Sequence, residues 1–364
     1  MSFRFETRAT WLQISGLAGE PGEGRLKAIR TGPCSLDHMS EAMSHFSTPA
    51  RALAPAPEAV VCVPTFRRAK MLERTLRSLA EQRTRVPFAI VVVDNDGIGR
   101  DGFAAATRFL SDAALPGHVC VEPQQGNVHA INRAFATALA QYAQARYFLM
   151  IDDDEIAEPD WLDAMVAAAR RGCDIVGGPV LPMFGCIAGA HRRHPVFQPA
   201  YSASGPVHMI YGSGNCLITR EAFARLGAFF DPSFNFLGGG DTEFFTRAKA
   251  AGLRFFWAQN AVVHELVGPE RVTATWILQR GLRIGAINYR IDCMRARGLR
   301  ARGKVLVKNA GVAAFAAYKA LLLVLSRAPV LETLHPLIVA LGRLLAAFGI
   351  YPEQYRAKPR DVRP

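Results

Sequence analysis

Tyr147-Phe-Leu-Met-Ile-Asp-Asp-Asp-Glu155 decides how this chain is read. A short apolar run bounded by polar residues reads as a buried strand, and here it passes directly into four consecutive acids. Like charges crowded at the end of a buried strand repel one another and call for a counter-cation. Residues two apart on a strand share a face, which would point Asp152 and Asp154 the same way. Two carboxylates on one side suit Mg²⁺ or Mn²⁺, with other positions left to phosphate oxygens and water. The bland alternative is a solvated acidic loop, which Asp-x-Asp alone would favour. A helix-loop-helix calcium site is disfavoured, because its glycine and its spaced ligands are missing.

The flanking segments supply the context. Residues 59–63 are a β-branched run stopped by Pro64, and 88–93 are a second buried strand ending at Asp94-Asn95-Asp96-Gly97. A brief strand at 119–121 makes 147–151 the fourth. Residues 70–82 and 127–142 space their apolar side chains as helices do, with Ile131, Ala134 and Phe135 on one side of the second. Pro159 opens a helix running to 170, and 174–176 begin another strand. Strands alternating with helices predict an α/β fold, a mainly parallel sheet with helices on both faces. In such sheets ligands bind beyond the carboxyl ends of the strands. The polar clusters at 64–68, 94–97 and 152–155 all fall at those ends, which turns the balance from a solvated loop to a metal site.

The chain has 364 residues, half of them hydrophobic, enough for a large domain with an appendage. Residues 1–57 contain Gly-Glu-Pro-Gly-Glu-Gly at 19–24 and no sustained periodicity, and are expected to be a loosely ordered leader. The first ten residues show no apolar core of a signal peptide. A catalytic unit is expected over 58–271 and a basic, apolar helical region over 272–364. From Arg271 onward there are 17 Lys and Arg against 4 Asp and Glu, whereas the rest of the chain carries 26 against 27. This asymmetry suggests an anionic partner for the C-terminal quarter. Seven cysteines with no C-x-x-C pair argue against zinc and fit a reducing cytosol.

Residues 273–297 read as a basic helix. Residues 305–325 are near the length of a membrane span, interrupted by Lys308 and Lys319, and 330–350 contain Glu332, His335-Pro336 and Arg343. Three arrangements remain open: a membrane hairpin, amphipathic helices lying in the membrane plane, and a soluble helical cap. A membrane surface contacted through 300–350 is the expectation. Nucleic acid is disfavoured as a partner, since no aromatics interleave with the basic residues.

Five segments resemble, in order and in rough spacing, the motifs of glycosyltransferase family 2. They are Val63-Pro-Thr-Phe-Arg-Arg68, Val91-Val-Val-Asp-Asn95, residues 126–134, Phe148-Leu-Met-Ile-Asp-Asp-Asp-Glu155 with Trp161-Leu162, and Gly238-Gly-Gly-Asp-Thr-Glu-Phe-Phe-Thr-Arg247. The similarity covers about residues 60–264 and is greatest to members that build bacterial surface polysaccharide or exopolysaccharide. The resemblance implies the GT-A fold of nucleotide-diphospho-sugar transferases. It places Pro64, Thr65 and Arg67 in the nucleotide loop, with Asn132 and Asp153 also in the nucleotide-sugar site. Asp94 would read the base or ribose, or else serve only as a turn former. Asp152 and Asp154 match the metal motif, His264 a further ligand, and Asp241 the catalytic base.

The sequence departs from the family pattern in places. Gly240 stands where the Glu of a Glu-Asp pair is usual, which leaves Asp241 as base and makes Glu243 a competitor. Ile131 stands where Arg is usual. The Gln-x-x-Arg-Trp motif of processive synthases is missing, since no Trp follows Gln279-Arg280 and Arg283, which favours one sugar per encounter. Asp241 also precedes an expected helix over 242–251, so an N-cap is its bland alternative. Arg271, Arg280 and Arg283 would face either a diphosphate or anionic lipid. The loop over 181–208 is expected to shape the pocket.

The implied function is a metal-dependent, inverting transfer from a nucleotide-diphosphate sugar, UDP-linked, to a hydroxyl of a glycan or lipid-linked acceptor. The expected place is the cytoplasmic face of the bacterial inner membrane. Two rivals are a catalytically inactive scaffold, motivated by Gly240 and Ile131, and a nucleotidyltransferase, whose glycine-rich loop residues 64–68 lack.

Overall fold

Burial on both faces marks the long strands in the computed structural model, which describes residues 45–47, 55–185 and 190–352. The first half contains β1 (His45–Ser47), β2 (Ala59–Thr65), α1 (Ala69–Ala80), β3 (Phe88–Asp94), α2 (Asp101–Asp112), β4 (Gly117–Val121), α3 (Asn127–Gln141) and β5 (Tyr147–Ile151). Next come β6 (Glu155–Ala157), α4 (Trp161–Ala169), β7 (Ile175–Gly177), β8 (Val180–Met183), β9 (Gly205–Val207), β10 (Asn215–Thr219), α5 (Arg220–Leu226), α6 (Gly240–Ala250), β11 (Phe255–Trp257) and β12 (Val263–Leu266). Three helices end the described chain: α7 (Ala274–Arg295), α8 (Leu299–Leu325) and α9 (Val330–Ala347).

Nine strands form one sheet in the order β1-β4-β3-β2-β5-β10-β7-β11-β9, and β6-β12-β8 form a second. Strands β4, β3, β2 and β5 are parallel, as expected. Beyond them the sheet is mixed, because β10 inserts antiparallel between β5 and β7. The expected leader contributes one element: His45–Ser47 pairs antiparallel with β4 at the sheet edge. The remaining leader residues, 1–44 and 48–54, lie outside the described residues.

Alternate residues of each strand serve opposite faces. Val61, Val63, Ile90, Val92, Leu149 and Ile151 pack with Leu72, Leu76 and Trp161 of α1 and α4. Their neighbours Val60, Cys62, Val91, Val93, Phe148 and Met150 pack with Phe135 of α3 and Phe244 and Phe245 of α6. A sheet covered on both sides leaves its carboxyl edge as the open place for a ligand.

The last three helices are joined to this unit. Ile277 of α7 packs with Phe184, Phe197 and Val267, and Ile287 and Ile291 pack with Phe234 and Leu237. Helix α9 runs beside α7 at backbone contact: a Cβ on Gly342 would lie 2.1 Å from the Leu282 carbonyl oxygen, and one on Gly285 would lie 2.1 Å from that of Val339. Asp292 of α7 accepts hydrogen bonds from Lys308 of α8 at 2.7 Å and Arg343 of α9 at 2.6 Å.

Candidate active site

Thr65, Asp94 and Val121 end β2, β3 and β4 on one register line, and a cleft opens there. Pro64, Thr65, Arg68, Asn95 and Asn127 line it, together with Asp152, Asp153, Asp154, Glu265 and Arg271. The three acids after β5 are thus in one cleft, but they do different things. The Thr65 hydroxyl donates to Asp153 at 2.7 Å, and Arg68 Nη1 donates to Asp153 at 3.2 Å and Asp154 at 2.8 Å. The counter-cation that the acids call for is therefore in part Arg68.

The expected shared face of Asp152 and Asp154 is corrected by the turn. Strand β5 stops at Ile151, and the Glu155 N–H donates to the Asp152 carbonyl at 3.2 Å, so strand alternation does not extend to 154. Asp152 instead turns towards Gly214, at the head of β10: a Cβ there would lie 2.8 Å from Asp152 Oδ2 and 2.7 Å from Glu155 Oε1. Glu155 in turn faces Glu265 directly across the β6–β12 pair, and like charges placed so are unfavourable. Arg271 Nη1 donates to Glu265 at 2.5 Å. Burial, then Asp154 and Asp153, push the Asp152 carboxyl well above the usual carboxylate range; burial, then Asp152, does the same to Glu155.

Four expected site residues are engaged elsewhere. Arg67 has φ 57°, a left-handed turn that sends its guanidinium to Asp96 at 3.0 Å, while Arg68 takes the cleft. Asp94 is fully buried and accepts from the backbone N–H groups of Asp96 and Phe103 at 2.9 and 2.8 Å. It holds the loop into α2, and its neighbour Asn95 lines the cleft. Asn132 exchanges two hydrogen bonds with the backbone of Phe230, and Asn127, one turn and a half earlier on α3, lines the cleft instead. His264 lies inside β12, and its ring meets Glu158 Oε1 at 2.7 Å. Strand alternation then presents the next residue, Glu265, to the acids.

A second cleft is lined by Asp152, Glu155, Glu265, Arg271 and Asp241 together. Asp241 reaches it through a local device. Gly239, with φ 86°, is the N-cap of α6 and lies so near α7 that a Cβ would meet Ile287 at 2.4 Å. Asp241 is therefore in the first helical turn and not at the cap, with the Thr242 N–H donating to its Oδ1 at 2.7 Å. Glu243, its competitor, is held by Arg247 at 3.0 and 3.1 Å and does not line the cleft. Beyond Asp241 a cavity continues between α7 and α9, lined by Arg280, Arg283, Ile284, Ile287, His335 and Val339.

Among the described residues no group of three or more His, Cys, Asp or Glu side chains forms a metal cage by itself. The donors present nevertheless suit a hard divalent cation completed by substrate oxygens. Asp152 and Glu265 both face the cleft, and Gly214 packs so closely on Asp152 that a side chain there would displace its carboxylate.

Residues 60–227 match the family model of glycosyl transferase family 2, and residues 147–350 match that of glycosyl transferase family group 2. The chain is 30% identical over 255 residues to the succinoglycan biosynthesis protein ExoM of Rhizobium meliloti, covering 68% of this chain and 79% of that one. It is 28% identical over 247 residues to the O-antigen biosynthesis protein RfbC of Myxococcus xanthus, covering 60% of this chain and 18% of that one. Among solved structures, a mannosyltransferase of Pyrobaculum calidifontis in complex with GDP-Man and Mn²⁺ shares the fold, with a TM-score of 0.52, 20% identity, and 80% of this chain and 88% of that one covered. With a family match over more than half its length and an ExoM likeness that spans most of both proteins, the chain belongs to glycosyl transferase family 2 and is a nucleotide-sugar-dependent glycosyltransferase.

Proposed function

We propose that the chain moves one sugar per encounter from a nucleotide-diphosphate sugar to a hydroxyl of a glycan or lipid-linked acceptor, inverting the anomeric carbon, with Mn²⁺ or Mg²⁺ bound. The observation that carries this is the cleft that Asp152 and Asp241 line together. Pro64, Thr65, Arg68, Asn95 and Asn127 hold the nucleotide, and Asp153 positions Thr65 and Arg68 rather than touching the reacting atoms. Asp152 and Glu265 would hold the metal, and Asp154 stays on Arg68. A bound divalent cation supplies Lewis-acid stabilisation of the charge that builds on the departing diphosphate.

Asp241 accepts the acceptor hydroxyl's proton as that oxygen attacks the anomeric carbon and the bond to the diphosphate breaks. General-base help of this kind contributes about 10²–10⁴-fold. Direct displacement by one nucleophile inverts the centre. The unit over 58–271 carries the chemistry, and 272–364 close the acceptor side and associate with the cytoplasmic face of the bacterial inner membrane. The likeness to ExoM and RfbC supports a place in exopolysaccharide or O-antigen assembly.

The test is release of nucleoside diphosphate by the purified full chain across UDP-, GDP- and dTDP-sugars, with Mn²⁺, Mg²⁺ or EDTA. Metal-dependent release from one nucleotide class, UDP first, is the expected result. Equal release with EDTA would refute the metal, and binding of no nucleotide would refute the cleft.

A further inference from the structure

We propose that α8 and α9 lie in the plane of an anionic membrane surface and do not cross it. This rests on the membrane association proposed above and adds its topology. By length and composition both helices pass for spans. Their placement argues otherwise. Helix α9 advances alongside α7, with Gly281 beside His335 and Ile338, Gly285 beside Val339 and Gly342, and Asp292 bonded to Arg343. A bilayer-crossing α9 would drag α7 with it, including Arg283, Arg290 and Asp292. Charges in hydrocarbon are costly, and α7 is anchored in the catalytic core through Ile277 and Ile287.

The inner face of α9 has its own aqueous duty. His335 and Val339 wall the cavity that Asp241 also lines, so this stretch belongs to the compartment of the nucleotide. Helix α8 is bound to the same frame, because Lys308 shares Asp292 with Arg343.

The outer faces carry the opposite chemistry. Val330, Leu334, Leu337, Leu341, Leu344 and Phe348 are all exposed, and their 4-3-4-3-4 spacing makes one stripe along α9. On α8 the exposed Leu306, Tyr318, Leu321, Leu322 and Leu325 extend the apolar surface. Exposed Arg297, Arg300, Arg302 and Lys304 lie at one end of α8, and exposed Arg327 lies at the other. An apolar face bordered by cations at both ends matches a bilayer surface with anionic headgroups. In-plane docking brings α9, one wall of the Asp241 cavity, to the lipid boundary, where a lipid-linked acceptor hydroxyl would be presented.

Two measurements on the full chain decide it. The first is flotation with phosphatidylglycerol-containing vesicles against pure phosphatidylcholine. Flotation with the anionic vesicles is expected, reduced by at least about tenfold in Leu337→Glu/Leu341→Glu/Leu344→Glu, whose circular dichroism should match the parent. Failure to float, with or without dimerisation through the stripe, would overturn membrane association and its topology together. The second is labelling of Ser326→Cys, in the α8–α9 turn, by a membrane-impermeant maleimide. The signal is read as the increment over the same Cys293→Ser background. Labelling in inverted membrane vesicles but not in intact spheroplasts is expected. Labelling only from the spheroplast side would mean a crossing hairpin and would overturn the topology while leaving membrane association intact.

Discussion

The nucleotide cleft and the cavity beyond Asp241 meet in one passage but are built by different means. The cleft is cut into the carboxyl edge of four parallel strands, and its acids are fixed by short hydrogen bonds from Thr65, Arg68 and Arg271. The cavity is closed over Asp241 by α7 and α9 together with Pro195, Val196 and Tyr211. On the proposed reading, donor recognition is a property of the sheet, and access of the acceptor depends on the docking of a helical segment that sequence alone marks as membrane-seeking. Substitutions in the two regions should separate nucleotide binding from transfer.

The largest effect is expected on the donor side. Asp152→Asn should lower kcat/KM by about 10²–10³-fold, the order seen when a group stabilising transition-state charge is removed, and should abolish metal dependence of nucleotide binding in calorimetry. Retained metal-dependent binding would move the ion to other carboxylates. On the acceptor side, Gly342→Val forces side-chain atoms into the Leu282 backbone. Overpacking of this kind costs about 1–3 kcal/mol, readable in thermal unfolding, and transfer should fall while nucleotide affinity stays within about twofold of the parent. Equal loss of both would dissolve the distinction between the two regions.

Smaller effects sharpen the donor side. Glu265→Gln should weaken Mn²⁺ affinity by about 10–100-fold, whereas a change confined to stability would make Glu265 only a partner of Arg271. His264→Ala should be the mildest, since its contact with half-exposed Glu158 is worth about 0–1 kcal/mol. A loss of metal affinity as large as that of Glu265→Gln would return His264 to the ligand set.

The same divide runs through what the sequence discloses. Strands β2, β3 and β5 are legible because burial on both faces leaves a continuous apolar run, and Asp152–Asp154 are legible because acids stand out at its end. Of the strands beyond β5, which are three to five residues long, only β7 at 175–177 is read from the sequence, and the others are too short for periodicity to register. The insertion of β10 beside β5 joins residues more than sixty positions apart, for which no local pattern exists. Choosing Arg68 over Arg67 required the left-handed turn at Arg67. That Glu265 and not His264 faces the acids follows from the pairing of β12 with β6, since a four-residue strand does not disclose which face is inward. Asp94 shows the converse: a polar residue at a strand end whose hydrogen bonds are all consumed by the next loop.

The most direct measurement is the transfer rate of Asp241→Asn beside its nucleotide dissociation constant. A fall in kcat of about 10²–10⁴-fold with nucleotide binding unchanged is the result expected if Asp241 serves the acceptor hydroxyl in the passage it shares with Asp152. Full transfer, or equal loss of nucleotide binding, would contradict it.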